Sequence, residues 1–128
     1  MIPSRAEAFR PIDRIRKTWE FRTIQRSGRR VHSPHFVYVL SPSKDRPRLG
    51  ITVSKKVSPK AVLRNRVKRF VREVFRRHRH LFPTDCDVVV IAKRGASDLA
   101  LRETFEEFQG AAEAMRRTSR SLHAGKRP

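Results

Sequence analysis

The sequence predicts a small α+β domain whose elements follow the order α-β-β-β-α-β-α. Residues 36–40 are rich in β-branched and aromatic side chains, a composition that favours a strand. Residues 87–92 are apolar on both faces, which is typical of an inner strand of a covered sheet. Between these segments, a long amphipathic helix is predicted from Pro59 to about His80, because helical spacing places Leu63, Val67, Phe70, Val71 and Val74 on one core-facing stripe. The strand–helix–strand unit over 48–92 therefore indicates a crossover that joins two parallel strands.

Shorter patterns supply the other early elements. A helix is predicted over about 18–27, with Trp19, Phe21 and Ile24 as its apolar residues and a Ser-Gly pair at its end. The segment 48–54 alternates between an apolar face and a small, polar face, as a half-buried strand does. The apolar face consists of Leu49, Ile51 and Val53, and the other face consists of Gly50, Thr52 and Ser54.

The last helix is predicted to begin at a Ser97 cap and to end at about Arg117. Four glutamates on this helix make up a third of the 12 acidic residues in the chain. We expect residues 1–17 to form a basic arm and residues 118–128 to form a basic, disordered tail. The predicted organisation is one domain over 18–117, flanked by these two basic segments.

The charge balance indicates the kind of partner. The chain has 31 Lys and Arg against 12 Asp and Glu, which gives a formal net charge of +19. A polyanion explains this excess, so RNA, DNA and an anionic membrane surface are the candidates. Nucleic acid is favoured, because no segment pairs a broad apolar face with a lysine-rich face in the manner of an interfacial helix. No apolar run approaches the roughly 18–20 residues of a membrane helix, and we expect no signal peptide.

Residues for catalysis or metal binding by the chain itself are not predicted. Cys86 is the single cysteine, which cannot form an internal disulfide, and a reducing cytoplasm is the expected setting. Cys86 opens an apolar strand, so we interpret it as a packing residue. The acidic residues are too scattered to hold two metal ions. The five histidines are interpreted as solvated groups rather than as a general acid and base: they are His32, His35, His78, His80 and His123.

The long helix carries the strongest functional signal. Residues 55–80 hold 11 Lys and Arg and one acid. Arg64, Lys68 and Arg72 form a row at i, i+4 and i+8, and Asn65, Arg66, Arg69 and Arg76 widen it. Charges of one sign repel one another along such a row, so a neutralising partner is expected. Arginine, which outnumbers lysine here, makes planar bidentate contacts to phosphate. The pattern therefore favours nucleic-acid binding over a solvated charged face.

Residues next to this helix suggest a second contact area. Lys55 and Lys56 lie between a strand and the helix, where N-terminal amides already attract phosphate. Phe21, Phe36 and Tyr38 lie on elements that could line a groove, and an exposed ring beside cations stacks on unpaired bases. A core position is favoured for Phe36, whereas core and groove remain equal alternatives for Phe21.

Two segments strongly resemble the protein component of bacterial ribonuclease P. They are GITVSKK at 50–56 and AVLRNRVKRFVR at 61–72, in which Arg-Asn-Arg followed by Lys-Arg is the signature of that family. The resemblance extends over about 14–117. It implies an α/β sandwich with a mixed four-stranded sheet and a left-handed β-α-β crossover, similar to the second domain of ribosomal protein S5. It also implies a partner, a large catalytic RNA that hydrolyses the phosphodiester at the 5′ end of precursor tRNA with Mg²⁺.

The resemblance further implies that the RNA carries the catalytic groups and binds most of the Mg²⁺, with no obligate protein partner and no membrane. The catalytic RNA is expected to contact Arg64, Asn65, Arg66, Lys68, Arg69 and Arg72. The single-stranded 5′ leader of the precursor is expected in a cleft with Phe21 on its wall and Thr52, Ser54, Lys55 and Lys56 nearby. The sequence departs from some members at Gln25 and Val39, where those members have aromatic residues.

Two other functions stay open on the sequence alone. The first is a structural RNA-binding protein of ribosomal type without an enzymatic partner. The second is a free-standing ribonuclease that uses its own histidines. The Arg-Asn-Arg helix beside a phenylalanine-bearing cleft argues against the first, and the lack of an acid–base constellation argues against the second.

Overall fold

A computed structural model describes residues 14–43 and 47–124 of the chain. The predicted element order is confirmed, with two short 3₁₀ turns added at Arg79–Leu81 and Ala96–Asp98. The main elements are α1 (Thr18–Ser27), β1 (Arg29–His32), β2 (Phe36–Pro42), β3 (Leu49–Thr52), α2 (Ala61–Arg77), β4 (Cys86–Ala92) and α3 (Leu101–Ala124). In this part of the chain, no helix is both long enough and apolar enough to cross a membrane.

The four strands form one mixed sheet in the order β1-β2-β4-β3. β4 runs antiparallel to β2 and parallel to β3, so α2 is the predicted crossover between two parallel neighbours. Val88, Val89 and Val90 of β4 are almost completely buried. This burial explains why 87–92 is apolar on both faces: β4 is an inner strand with helices on either side of it.

Helices cover both faces of the sheet. α1 packs on one face through Ile24, against Val37, Val39 and Val89. α2 and α3 pack on the other face around a larger core that contains Phe36, Tyr38, Val71, Phe108 and Met115. The predicted alternation of β3 is confirmed, because Leu49 and Val53 belong to the larger core and Gly50 lies under α1. β3 is an edge strand to which the segment before α1 bonds at Leu49, and its later residues line the boundary between the two helical layers.

α2 ends earlier than predicted, at Arg77 rather than near His80, and a 3₁₀ turn follows it. Val67, Val71 and Val74 are buried as the spacing predicts, and Phe75 is buried with them. Leu63 and Phe70, which the spacing also placed on the core face, are only half-buried.

Both predicted domain boundaries need correction. α3 continues through Ala124, so the expectation of disorder was wrong for 118–124. The physical reason is that this turn of the helix packs: Ser119 is buried and donates a hydrogen bond of 2.7 Å to Asp85, and Leu122 contacts the core. At the other end, Ile15 is buried and its N–H donates to the Leu49 carbonyl at 3.0 Å, so the domain includes the residues just before α1. The rest of the predicted arm and tail, 1–13 and 125–128, lies outside the described residues.

Candidate nucleic-acid interface

A groove lies between α1 and the open edge of the sheet. Its floor is β3 and the residue that follows, its aromatic wall is Phe21, and α2 contributes Lys68 to its rim. An ion-pair chain sets the distance between α1 and the sheet, because Arg48 contacts both Glu20 of α1 at 2.9 Å and Asp87 of β4 at 3.0 Å. The lining residues are Arg16, Thr18, Phe21, Arg22, Gln25, Ile51, Thr52, Val53 and Lys68. The groove is therefore basic, with one aromatic wall.

Phe21 occupies this wall because residue 50 is glycine. A Cβ at Gly50 would lie 2.7 Å from Cε1 and 2.8 Å from Cζ of the Phe21 ring. The ring therefore rests directly on the backbone of β3, while the side chain stays half-buried and lines the groove. The structure thus places Phe21 both against the smaller core and in the groove, the two alternatives that its sequence position left open.

The opposite end of the α1 wall is polar. Gln25 lies one helical turn after Phe21, at the position where the sequence departs from the aromatic residue of some family members. Its Nε2 donates a hydrogen bond to Thr52 Oγ1 at 3.4 Å. Val39, the second departure, is completely buried beneath α1 and cannot contact a ligand. A strand of nucleic acid in this groove would therefore meet one aromatic ring and an amide–hydroxyl pair.

Several cations converge on one end of the groove. Arg16 and Lys68 line it, and Arg14 and Arg72 continue the same two rows by one step along the extended segment and the helix. Burial lowers the pKa of the Arg72 guanidinium, and the charge of Arg14 lowers it further. The positive charge at this end of the groove favours an anionic ligand.

The remaining predicted residues of α2 are distributed over its outer side. Asn65 and Arg69 are exposed, whereas Arg66 is half-buried. The guanidinium carbons of Arg66 and Arg69 lie 5.2 and 5.6 Å from the centre of the Phe70 ring, which holds both side chains in place. Such pre-organised guanidiniums lose less entropy when they bind phosphate.

Arg64 has a structural task in addition to its position in the basic row. Its Nη1 donates to the carbonyls of Ser58 and Pro59, at 3.0 and 2.9 Å. These bonds tie the turn before α2 to the helix, and Ser58 Oγ accepts a further bond from the Lys60 N–H at 3.2 Å. Arg64 therefore has fewer N–H groups left for RNA than the sequence pattern suggested.

The basic surface of α2 ends at Glu73, the single acid of the helix. Glu73 forms ion pairs with Arg76 at 2.8 Å and with Arg77 at 3.1 Å, and the hydrogen bond from Arg76 lowers the pKa of its carboxyl group. Arg76, which the sequence analysis added to the basic row, is thus largely neutralised. The one-sign surface is restricted to 64–72.

The structure places some of the predicted cleft residues in the groove and others outside it. Phe21 and Thr52 line the groove, whereas Ser54, Lys55 and Lys56 lie in the exposed turn that follows β3. Sequence reasoning named Gln25 only as a departure from some members of the family, and it did not place five other lining residues in the cleft: Arg16, Thr18, Arg22, Ile51 and Val53. The spacing of Thr18, Phe21, Arg22 and Gln25 (i, i+3, i+4 and i+7) defines one face of a helix and was the signal that could have found two of them.

Residues considered for catalysis have structural roles. His35, predicted to be solvated, is held by Glu107, which accepts a bond from the His35 N–H at 2.7 Å and contacts its Nδ1 at 2.7 Å. His123 pairs with Asp85 at 3.1 Å rather than lying in a tail. Cys86 is completely buried, which confirms it as a packing residue. Phe36 and Tyr38 are core residues that pack edge-on against Phe108.

Comparison with known proteins identifies the family. A family model described as Ribonuclease P matches residues 9–116. The chain belongs to the ribonuclease P protein family. The ribonuclease P protein component of Desulfosudis oleivorans is 50% identical over 92 residues, which cover 71% of this chain and 75% of the relative. That of Desulfovibrio desulfuricans is 45% identical over 91 residues, 69% of each chain.

Solved structures of the same family share the fold. A mutant ribonuclease P protein from Staphylococcus aureus superposes with a TM-score of 0.74 at 33% identity, over 82% of this chain and 89% of that one. The ribonuclease P protein from Thermotoga maritima gives a TM-score of 0.71 at 30% identity, over 79% and 96%. The resemblance drawn from the Arg-Asn-Arg helix is therefore confirmed. As a member of this family, the chain acts in tRNA 5′ processing together with an RNA subunit.

Proposed function

We propose that this ribonuclease P protein divides its basic surface between two RNA ligands. The outer side of α2, from Arg64 to Arg72, contacts the catalytic RNA. The groove between α1 and β3 holds the single-stranded 5′ leader of precursor tRNA. The observation that carries the proposal is the groove itself, in which an aromatic ring and several cations lie side by side. Stacking and phosphate neutralisation are the two interactions that bind unpaired RNA without requiring a given sequence.

The floor of the groove suits a nucleotide strand. Gly50 has no side chain and Thr52 has a small one, so little side-chain bulk rises from the floor of the groove. The face of the Phe21 ring offers a surface on which one base can stack. Arg16, Arg22 and Lys68 surround the strand with positive charge. Ser54, Lys55 and Lys56 are exposed just beyond β3, and we propose that they extend the path of the leader toward the start of α2.

The chemistry of cleavage is proposed to lie on the RNA, which also binds the Mg²⁺. Among the residues that the structure describes, those lining the groove include no carboxylate, the ligand that Mg²⁺ prefers in proteins. A mixed set of metal-ligating groups, Asp85, Cys86 and His123, lies at the start of β4, whereas Thr52 pairs with Ile91 near the end of β4. The thiol of Cys86 does not suit Mg²⁺ as a ligand. The role of the protein is then to bind the leader and to lower the demand for Mg²⁺ by neutralising phosphates.

Reconstitution tests the proposal. The protein is mixed with a bacterial ribonuclease P RNA and precursor tRNA at low Mg²⁺, and release of the 5′ leader is followed beside protein-alone and RNA-alone controls. We expect cleavage only when both components are present. Arg69→Ala should reduce the rate at subsaturating protein, whereas Arg102→Ala, which removes an exposed arginine from α3, should not. Tight RNA binding without any effect on rate or Mg²⁺ demand would instead indicate a structural RNA-binding protein.

A further inference from the structure

Trp19 is the most unusual side chain on the surface of this protein. The sequence places it among the apolar residues of α1, yet 63% of its surface is exposed. Ile24 provides the core contact of the helix, and Phe21 rests on Gly50. Trp19 therefore contributes little to folding, although an exposed indole is a large apolar area to leave in water.

The surroundings of Trp19 are basic. The ammonium group of Lys17 lies 5.8 Å from the centre of the indole ring. Arg22 and Arg26 follow at three and seven positions along the helix, which places them on the same side of α1. Glu20, the single acid of α1, is turned toward Arg48 and does not neutralise this side. Lys17 beside the ring, together with Arg22 and Arg26 on the same side of α1, complements a nucleic acid better than it complements an apolar protein surface.

Trp19 is also adjacent to the groove. Thr18 and Arg22 line the groove, and Trp19 follows Thr18 at a rotation of about 100° around the helix axis. The ring therefore stands on the outer rim of the α1 wall, and Arg22 lies between it and the groove. The Thr23 hydroxyl donates to the Trp19 carbonyl at 2.8 Å, within the first turns of a regular helix that fixes the backbone of residue 19.

We propose that Trp19 is a second stacking platform, which binds an unpaired nucleobase of the leader where the strand passes over the rim of the groove. This inference rests on the proposed function, because it assumes that the groove holds single-stranded RNA. The indole would stack on the base while Lys17 and Arg22 neutralise the flanking phosphates. Trp19 would thereby supply, on the outer side of α1, aromatic contact that Gln25 does not supply inside the groove.

The test uses the reconstituted holoenzyme and precursor tRNAs whose 5′ leaders increase in length, with mature tRNA as the leaderless ligand. The variants are Trp19→Ala, Trp19→Phe and, as a control for the loss of an exposed apolar side chain, Leu101→Ala on α3. Trp19→Ala should weaken binding about 5- to 10-fold, but only for leaders long enough to reach the rim, in keeping with the lower end of base–aromatic stacking. Trp19→Phe, which keeps a ring, should stay within about twofold of the parent.

Fluorescence provides a direct readout, because Trp19 is the only tryptophan in the chain. Its emission should be quenched by a leader that reaches the rim, and an abasic nucleotide at the contacted position should restore the emission. Far-UV circular dichroism of Trp19→Ala should match that of the parent protein, since the side chain is outside the core.

The outcomes separate this inference from the proposed function. If Trp19→Ala binds every leader as the parent does while Phe21→Ala loses leader affinity, the groove function stands and the role of Trp19 is refuted. If neither variant shows any dependence on the leader, the proposed function fails as well. An equal loss for mature tRNA, or a change in self-association of Trp19→Ala in sedimentation, would assign the ring to a different partner and overturn the inference.

Discussion

The contact between Gly50 and Phe21 gives the sharpest test of how the groove is built. An alanine at position 50 would place its Cβ 2.7 Å from the edge of the Phe21 ring, well inside van der Waals contact, and 3.4 Å from Cβ of Ile15. The ring must therefore tilt away from β3. The far end of a half-buried phenylalanine can move, so the cost should lie in the lower part of the range of about 1–3 kcal/mol for overpacking.

A second contribution has the opposite sign. Replacing glycine by alanine within a strand removes conformational freedom from the unfolded chain and stabilises a protein by about 0.5–1 kcal/mol when no clash occurs. Gly50→Ala should therefore lower the free energy of unfolding by at most about 1.5 kcal/mol in the parent protein. In a Phe21→Ala background the clash is absent, and the same substitution should be stabilising.

Urea denaturation of the four proteins of this cycle measures the coupling between the two positions. We expect a coupling free energy of about 1 kcal/mol or more, together with weaker leader binding by Gly50→Ala, because the displaced ring enters the groove. An equal effect of Gly50→Ala in both backgrounds would show that the ring does not rest on the strand, and the account of the aromatic wall would be wrong.

Four further predictions concern the surface and the core. If RNA binding neutralises about 6–8 phosphates, log K should fall with log[salt] at a slope of roughly −4 to −7, and a slope near −1 would contradict the polyanion interpretation. In binding assays, Arg66→Ala should weaken affinity for the catalytic RNA, while Phe21→Ala should mainly weaken affinity for leader-bearing precursor tRNA; equal losses in both assays would refute the division of the surface. The pKa of His78 is lowered by burial first and then by His80 and Arg77, so protonation favours the unfolded chain. The free energy of unfolding should therefore decrease as the pH falls below about 6.5, and His78→Phe should remove that dependence in urea titrations at several pH values. Ser119→Ala should cost about 1 kcal/mol in the same unfolding assay, since it removes the hydrogen bond to Asp85; no change would show that the end of α3 is not docked.

The fold was predictable because its main elements have strong local patterns. β4 is apolar on both faces and is an inner strand, while α2 has a regular apolar stripe and joins two parallel strands. The end of α3 had no such pattern. Residues 118–124 are mostly polar, and their docking depends on Ser119 and Leu122, at four and seven positions after Met115. A buried serine that hydrogen-bonds to an aspartate far away in the sequence does not contribute to a pattern of apolar residues.

The two parts of the candidate site differ in the same way. The basic row from Arg64 to Arg72 lies on one helix, so helical spacing alone places these residues side by side. The groove is assembled from three separated segments, and Arg16, which precedes α1, became recognisable as a lining residue only when the fold brought its segment next to β3. Its central contact, a phenylalanine ring on a glycine, is a relation between α1 and β3 that neither segment shows by itself.

Among the described residues, the ion pairs show where the acids of a chain with a net charge of +19 neutralise its cations. Glu20 and Asp87 bind Arg48, Glu73 binds Arg76 and Arg77, and Glu113 lies within 3.9 Å of both Arg116 and Arg120. These acids neutralise cations outside the groove and outside 64–72. Beside the groove, burial lowers the pKa of Arg72 and the charge of Arg14 lowers it further. If RNA binds there as proposed, part of the binding free energy depends on where the acids lie as well as on the number of arginines.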